Sequence, residues 1–252
     1  MKIEKGSVAL VIGVGASEGI GGAAARRAAA EGLHTFVAGR TQEKLDAVVA
    51  EISSAGGKAT AIVADTTKPE DVKRMFDTAE QEAGKPDLVV YNAGNNRFSA
   101  LTDMSDDFFE GLWRLCAFGG FLVGREMAQR VLPDGDGVRE TQATLIFTGA
   151  TASIRARPPF TAFASAKAAE RALAHGMSRE FGKRGLHVGH AIIDGGVDGA
   201  QLKSRFAEYL ESKGDDGGLN VDAVADAYWT LHMQHQTTWT LELDLRPYKE
   251  EF

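Results

Sequence analysis

One segment constrains the fold more than any other. An apolar run at residues 7–12 passes through the glycine-rich turn Gly13-Val14-Gly15-Ala16-Ser17-Glu18-Gly19-Ile20-Gly21 into an alanine-rich helical segment at residues 20–31. Glycines allow a tight turn and a close backbone approach to a pyrophosphate. The helix N-terminus behind them offers unpaired N–H groups and a partial positive charge. Gly-x-x-x-Gly-x-Gly is a weak signal alone, because glycine turns are common. Between an apolar strand and a helix it becomes a strong one.

The rest of the chain repeats that strand–helix rhythm. Strands are expected at residues 34–38, 58–64, 87–91, 143–147, 187–193 and 238–245. Helices are expected at 43–54, 70–83, 105–131 and 162–183. The strand runs are continuously apolar rather than alternating, so both faces of the sheet are covered. Strict βαβ alternation gives an α/β fold, a Rossmann-type doubly wound parallel sheet of about seven strands with right-handed crossovers. With 252 residues, one domain over 1–252 suffices to bury roughly three-quarters of the unfolded surface. Residues 194–219 follow the sixth strand on the carboxyl side of the sheet, where ligands bind in such folds. This irregular stretch is read either as a substrate lid or as a plain surface insertion.

Composition excludes several roles. A formal net charge of −7 argues against nucleic-acid binding and gives no help to a membrane-surface role. No apolar run is long enough to span a membrane. A single cysteine, Cys116, forbids an intrachain disulfide and fits a reducing compartment. With no signal peptide read at the N-terminus, a cytoplasmic protein is the expectation. His232 and His235 are read as a surface pair on one helix face rather than a zinc site, and no metal is expected.

Two later motifs add to the glycine turn. Asn92-Ala93-Gly94 follows the fourth strand, and Phe163-Ala164-Ser165-Ala166-Lys167 lies on a helix. Together the three resemble the short-chain dehydrogenase/reductase family over about residues 7–245, with phenylalanine where the family has the tyrosine of Tyr-x-x-x-Lys. The resemblance implies a nicotinamide dinucleotide held by Gly15, Ser17, Gly19, Ile20 and Gly21 of the turn. Asp65 matches the family acid on the adenine amino group and can also serve as an N-cap or turn aspartate before Pro69, the two readings being compatible. Asn92, Ala93 and Gly94 run under the nicotinamide ribose, which Lys167 also bonds, and Val197 belongs to the same set. Arg40 ends the second strand where an acid favours NAD and an arginine favours the 2′-phosphate of NADP. NADP(H) is therefore preferred over NAD(H), the other reading being a surface arginine.

The chemical half departs from the family. Its tyrosine falls on Phe163, its serine on Ala150 and its asparagine on Cys116, so only Lys167 survives. Tyrosine protonates the carbonyl oxygen and serine orients it. Phenylalanine and alanine do neither, so Phe163 and Ala150 become pocket walls. Thr151, one residue past the serine position, and Asp194, where the family has proline, are candidate replacements. Burial could raise the Asp194 pKa enough to make it an acid, and its other reading is a loop cap. Arg155 and Arg157 either attract an acidic substrate or are solvated loop charges. Two functions follow: an NADP(H)-dependent oxidoreductase of a small molecule with a non-standard catalytic set, or a non-catalytic NADP-binding sensor or scaffold. Family members pair through the two long helices, so a homodimer or homotetramer is implied.

Overall fold

A computed structural model describes residues 6–205 and 207–250. The elements run β1 (Val8–Ile12), α1 (Ile20–Ala30), β2 (His34–Gly39), α2 (Gln42–Ser54), β3 (Lys58–Val63), α3 (Pro69–Glu82) and β4 (Leu88–Tyr91). Then come α4 (Asp106–Trp113), α5 (Gly119–Val131), β5 (Ala143–Thr148), α6 (Thr161–Phe181) and β6 (Leu186–Ile193). The chain ends through β7 (Val197–Asp198), α7 (Ala200–Arg205), α8 (Ala207–Lys213), β8 (Leu219–Asn220), α9 (Val221–His232) and β9 (Glu242–Leu245).

Seven strands form one sheet in the order β3-β2-β1-β4-β5-β6-β9, and every pairing is parallel. The order reverses between β1 and β4, which opens a crevice at their carboxyl ends. Successive β1 side chains point to opposite faces. Val8, Leu10 and Ile12 join one core layer with α3, α5 and α6. Ala9 and Val11 join the other with α1, α2 and α9. That division explains why the central strand has no polar position: every residue of β1 is buried.

Three details depart from the sequence reading. The long helix expected at 105–131 is broken by a π turn over Arg114–Phe118, which holds Cys116. Of the strand expected at 238–245 only Glu242–Leu245 forms, since Thr238 closes a 3₁₀ turn over Gln236–Thr238 and residues 239–241 join it to the strand. His232 and His235 do not form a surface pair. His232 is buried at the end of α9 against Thr144 Oγ1 at 3.0 Å, while His235 lies outside the helix and caps the 3₁₀ turn. Among the described residues no helix is long and apolar enough to cross a membrane.

Residues 194–219 are more ordered than an irregular loop. β7 and β8 pair in parallel, Val197 opposite Leu219, with α7 and α8 between them. The segment rests on the glycine turn, since the Ala200 N–H donates to Glu18 O at 3.3 Å. A Cβ at Gly199 would lie 2.5 Å from that same carbonyl, so glycine is required at the contact.

Candidate functional site

A cleft of about 670 Å³ opens at the carboxyl ends of β1, β4 and β5. Its floor is backbone packed on backbone. Gly13 has φ +84°, and a Cβ there would come within 2.4 Å of the Ala93 nitrogen. Asn92 locks the junction, its N–H donating to Ile12 O at 2.8 Å and its Nδ2 to Gly13 O at 3.1 Å. Helix α1 begins at Ile20, behind the N-cap Gly19, with no side-chain cap and no acidic residue in its first turn. Its first N–H groups thus face the cleft with no side-chain acceptor, an arrangement that fits a pyrophosphate.

Most of the anticipated cofactor residues converge here. Gly15, Gly19, Ile20, Gly21, Arg40, Asn92, Ala93, Gly94, Lys167 and Val197 all line the cleft. Ser17 and Asp65 do not. Arg26 Nη1 donates to the Ser17 carbonyl and hydroxyl, each at 2.6 Å, and the hydroxyl also bonds Glu51. Asp65 Oδ1 accepts from the Thr67 N–H at 3.0 Å and the Thr67 hydroxyl at 2.8 Å, the turn-aspartate geometry. Burial works against the Asp65 charge. The Thr67 bonds, with Arg40 and Lys68 nearby, outweigh it and hold the carboxyl below its ordinary range.

Phe163 and Ala150 meet in the opposite wall. Phe163 packs in a small apolar cluster with Leu112, Cys116, Ala162 and Ala166, which joins α4, the π turn and α6. Its ring therefore takes its support from the core and brings no hydroxyl to the cleft. Thr151 and Asp194 lie beside this wall. Thr151 Oγ1 donates to Asp194 Oδ1 at 2.5 Å. Arg155 Nη2 donates to both Asp194 oxygens at 3.2 and 3.3 Å, and Arg246 Nη2 lies 3.3 Å from Oδ2. Asp194 is only 3% exposed, and its carboxylate is held by two guanidiniums and a hydroxyl.

Glu170 is the residue that sequence reasoning missed. It sits three residues after Lys167 on α6, on the same helix face. Lys167 Nζ donates to Thr148 O at 2.7 Å and to Glu170 Oε1 and Oε2 at 3.0 and 2.9 Å. Lys167 is 4% exposed and Glu170 fully buried. Burial pushes the Glu170 carboxyl up to about 7, against the pull of the Lys167 ammonium. Burial equally disfavours the Lys167 charge. The Glu170 carboxylate outweighs that, and the lysine ends above its ordinary value. Cys116 lies close by, its thiol pushed up to about 11 by burial. The one sequence signal was a glutamate inside an alanine-rich stretch, which reads on its own as a solvated position.

Known proteins match this chain in sequence and architecture. The short chain dehydrogenase family model matches residues 7–209. An uncharacterized oxidoreductase, YuxG, of Bacillus subtilis (strain 168) is 32% identical over 223 residues, covering 88% of this chain and 31% of that longer protein. A solved short-chain dehydrogenase from Rhodopseudomonas palustris is 34% identical, with a TM-score of 0.81 over 97% of this chain and all of the other. Another, from Burkholderia cenocepacia J2315 in complex with NADP, is 25% identical, with a TM-score of 0.83 over 97% of this chain and 98% of the other. On the family match, the parallel sheet and the glycine turn together, the chain belongs to the short-chain dehydrogenase family.

Proposed function

We propose that this chain is an NADP(H)-dependent oxidoreductase that works without a tyrosine proton donor. The observation that carries the reading is one continuous cleft. Its nucleotide half keeps the glycine turn, Arg40 and Asn92-Ala93-Gly94, while its chemical half presents Phe163 and Ala150. The dinucleotide, when bound, supplies or accepts a hydride. The N–H groups of Gly15, Ile20 and Gly21 would hold its phosphates, with Gly19 shaping the turn through its own bond to Ala16 O, Arg40 the 2′-phosphate and Val197 the nicotinamide end. The NADP carried by the Burkholderia neighbour supports the same cofactor here.

The substrate is a small molecule that does not depend on a strong local acid, such as an iminium or an activated C=C bond. Lys167 and Thr151 are the polar groups of this chain best placed to touch it. The contacts of Asp194 favour a positioning role, with its carboxylate fixing the Thr151 hydroxyl, over proton donation. Residues 194–219 act as the lid, because they bridge the glycine turn and the chemical wall. An apolar groove of about 960 Å³ between α5 and α6, lined by Phe118, Phe121, Leu173 and Met177, supports pairing with a second copy. The solitary buried Cys116 fits a cytoplasmic location.

A second reading, a non-catalytic NADP sensor, gains support from the Lys167 ammonium, whose three bonds all end within the protein. Calorimetry with NADPH and NADH, then NADPH oxidation over ketones, imines and enones, separates the two. Binding with turnover of imines or enones but not ketones is expected. Binding without any turnover favours the sensor. Binding of neither nucleotide overturns both readings.

A further inference from the structure

We propose that Glu170 is the positioning residue for Lys167. As a carboxylate it holds the lysine inside the protein, and on taking up a proton it releases one lysine N–H to a ligand in the cleft. The inference rests on the nucleotide reading above and extends it to a residue outside the cleft wall.

A lysine ammonium has three N–H bonds and no acceptor. Thr148 O takes one, and the two Glu170 oxygens take the others at 2.9 and 3.0 Å. Lys167 nevertheless belongs to the cleft wall. Its Nζ would lie 3.3 Å from a Cβ built on Gly94, in the stretch placed under the nicotinamide ribose. A ligand hydroxyl in the cleft therefore competes with Glu170 for a bond that is already made. Protonation removes the charge that makes Glu170 a strong two-oxygen acceptor, and one lysine N–H becomes available.

The surroundings leave Glu170 as the group that titrates. From the π turn, Cys116 faces the pair with its thiol raised by burial to about 11. From β4, Tyr91 is raised well above its ordinary value by burial, and Tyr228 of α9 is raised by the same cause. From β6, burial lowers His190 to about 4. None of these changes charge between pH 6 and 8.5, whereas the carboxyl of Glu170 stands at about 7. A ligand that needs the released N–H thus binds more tightly below that value and more weakly above it. By linkage, the bound ligand raises the Glu170 pKa by the same amount.

The test is calorimetric titration of NADPH into the wild-type protein and Glu170→Gln from pH 6 to 8.5. In parallel, the infrared carbonyl band of protonated Glu170 is followed with and without NADPH. Wild-type affinity is expected to fall about three- to ten-fold across that range, beyond the slope of the titrating 2′-phosphate that both proteins share. Glu170→Gln is expected to show only the shared slope and to bind as tightly at pH 8.5 as the wild type does near pH 6 after that slope is removed. Identical slopes in the two proteins overturn the proposal and leave the nucleotide reading standing. Failure of NADPH to bind either protein at any pH overturns both. Should Glu170→Gln not fold, the wild-type infrared titration decides. An upward shift on binding supports the proposal, and a carbonyl band that NADPH leaves unmoved overturns it.

Discussion

The two halves of the cleft are built from different materials. The nucleotide half is made of backbone: Gly13 fits because no Cβ can stand 2.4 Å from the Ala93 nitrogen, and the first turn of α1 offers N–H groups that every non-proline residue has. The chemical half is made of side chains: Phe163, Ala150, Thr151 and Lys167. A backbone site survives as long as the fold does. A side-chain site can change one residue at a time while the fold stays intact, and here the wall presents Phe163 and Ala150 beside Lys167.

The comparison predicts that the backbone half is the more fragile to mutation. Gly13→Val places a branched side chain at φ +84° and against Ala93. The expected result is loss of soluble folded protein, or at least about 3 kcal/mol of stability in a urea titration. A Gly13→Val protein of unchanged midpoint would break the contrast. Next in size, and the exception in the side-chain half, is Lys167→Met, which strands Glu170 in the core without its cation. Its cost is about 3–5 kcal/mol at pH 8. Glu170 already stands at about 7 against its ordinary value of 4.5. A raised carboxyl contributes stability that is full below the unfolded value and lost as pH rises through the folded one. Lys167→Met is therefore expected to lose less at pH 5.5 than at pH 8, and denaturant midpoints at the two values check the sign.

Lys167 apart, the side-chain half is expected to be editable. Phe163→Tyr with Ala150→Ser should raise ketone reduction by roughly a hundred-fold over the parent, the lower end of what a positioned acid contributes, measured as NADPH oxidation. No gain would mean that the wall around Phe163 no longer matches a carbonyl substrate. The smallest effect belongs to Arg40→Asp. It is expected to weaken NADPH by about ten-fold relative to NADH, the worth of one charge-assisted contact, and paired calorimetric titrations read it directly.

The sequence was most legible where the signal is local and periodic. Strands β1 through β6 stood within a residue or two of their expected bounds; β1, β2, β4, β5 and β6 are buried throughout, as strands covered on both faces must be, while the edge strand β3 is only partly buried. The tail was less legible. Thr238 belongs to a turn instead of the expected strand, and only Glu242–Leu245 pair with β6. The cleft was largely legible through its glycines and Asn92. The turn-aspartate reading of Asp65 agrees with its bonds to Thr67, whereas Ser17 was not legible, since only packing reveals that Arg26 and Glu51 already hold it. Glu170 was invisible for the same reason. A glutamate on a helix reads as solvated until the sheet and the π turn close over it.

By itself, then, the sequence determined the parallel α/β architecture, the nucleotide turn and the absence of a tyrosine hydroxyl at position 163. Each follows from residue type and spacing along the chain. The tertiary structure alone decided that Asp194 is clamped by Thr151, Arg155 and Arg246, and that Lys167 spends its protons on Thr148 and Glu170. Both outcomes depend on which distant groups arrive within hydrogen-bond distance in a site that excludes water. Spacing along a chain carries no record of that.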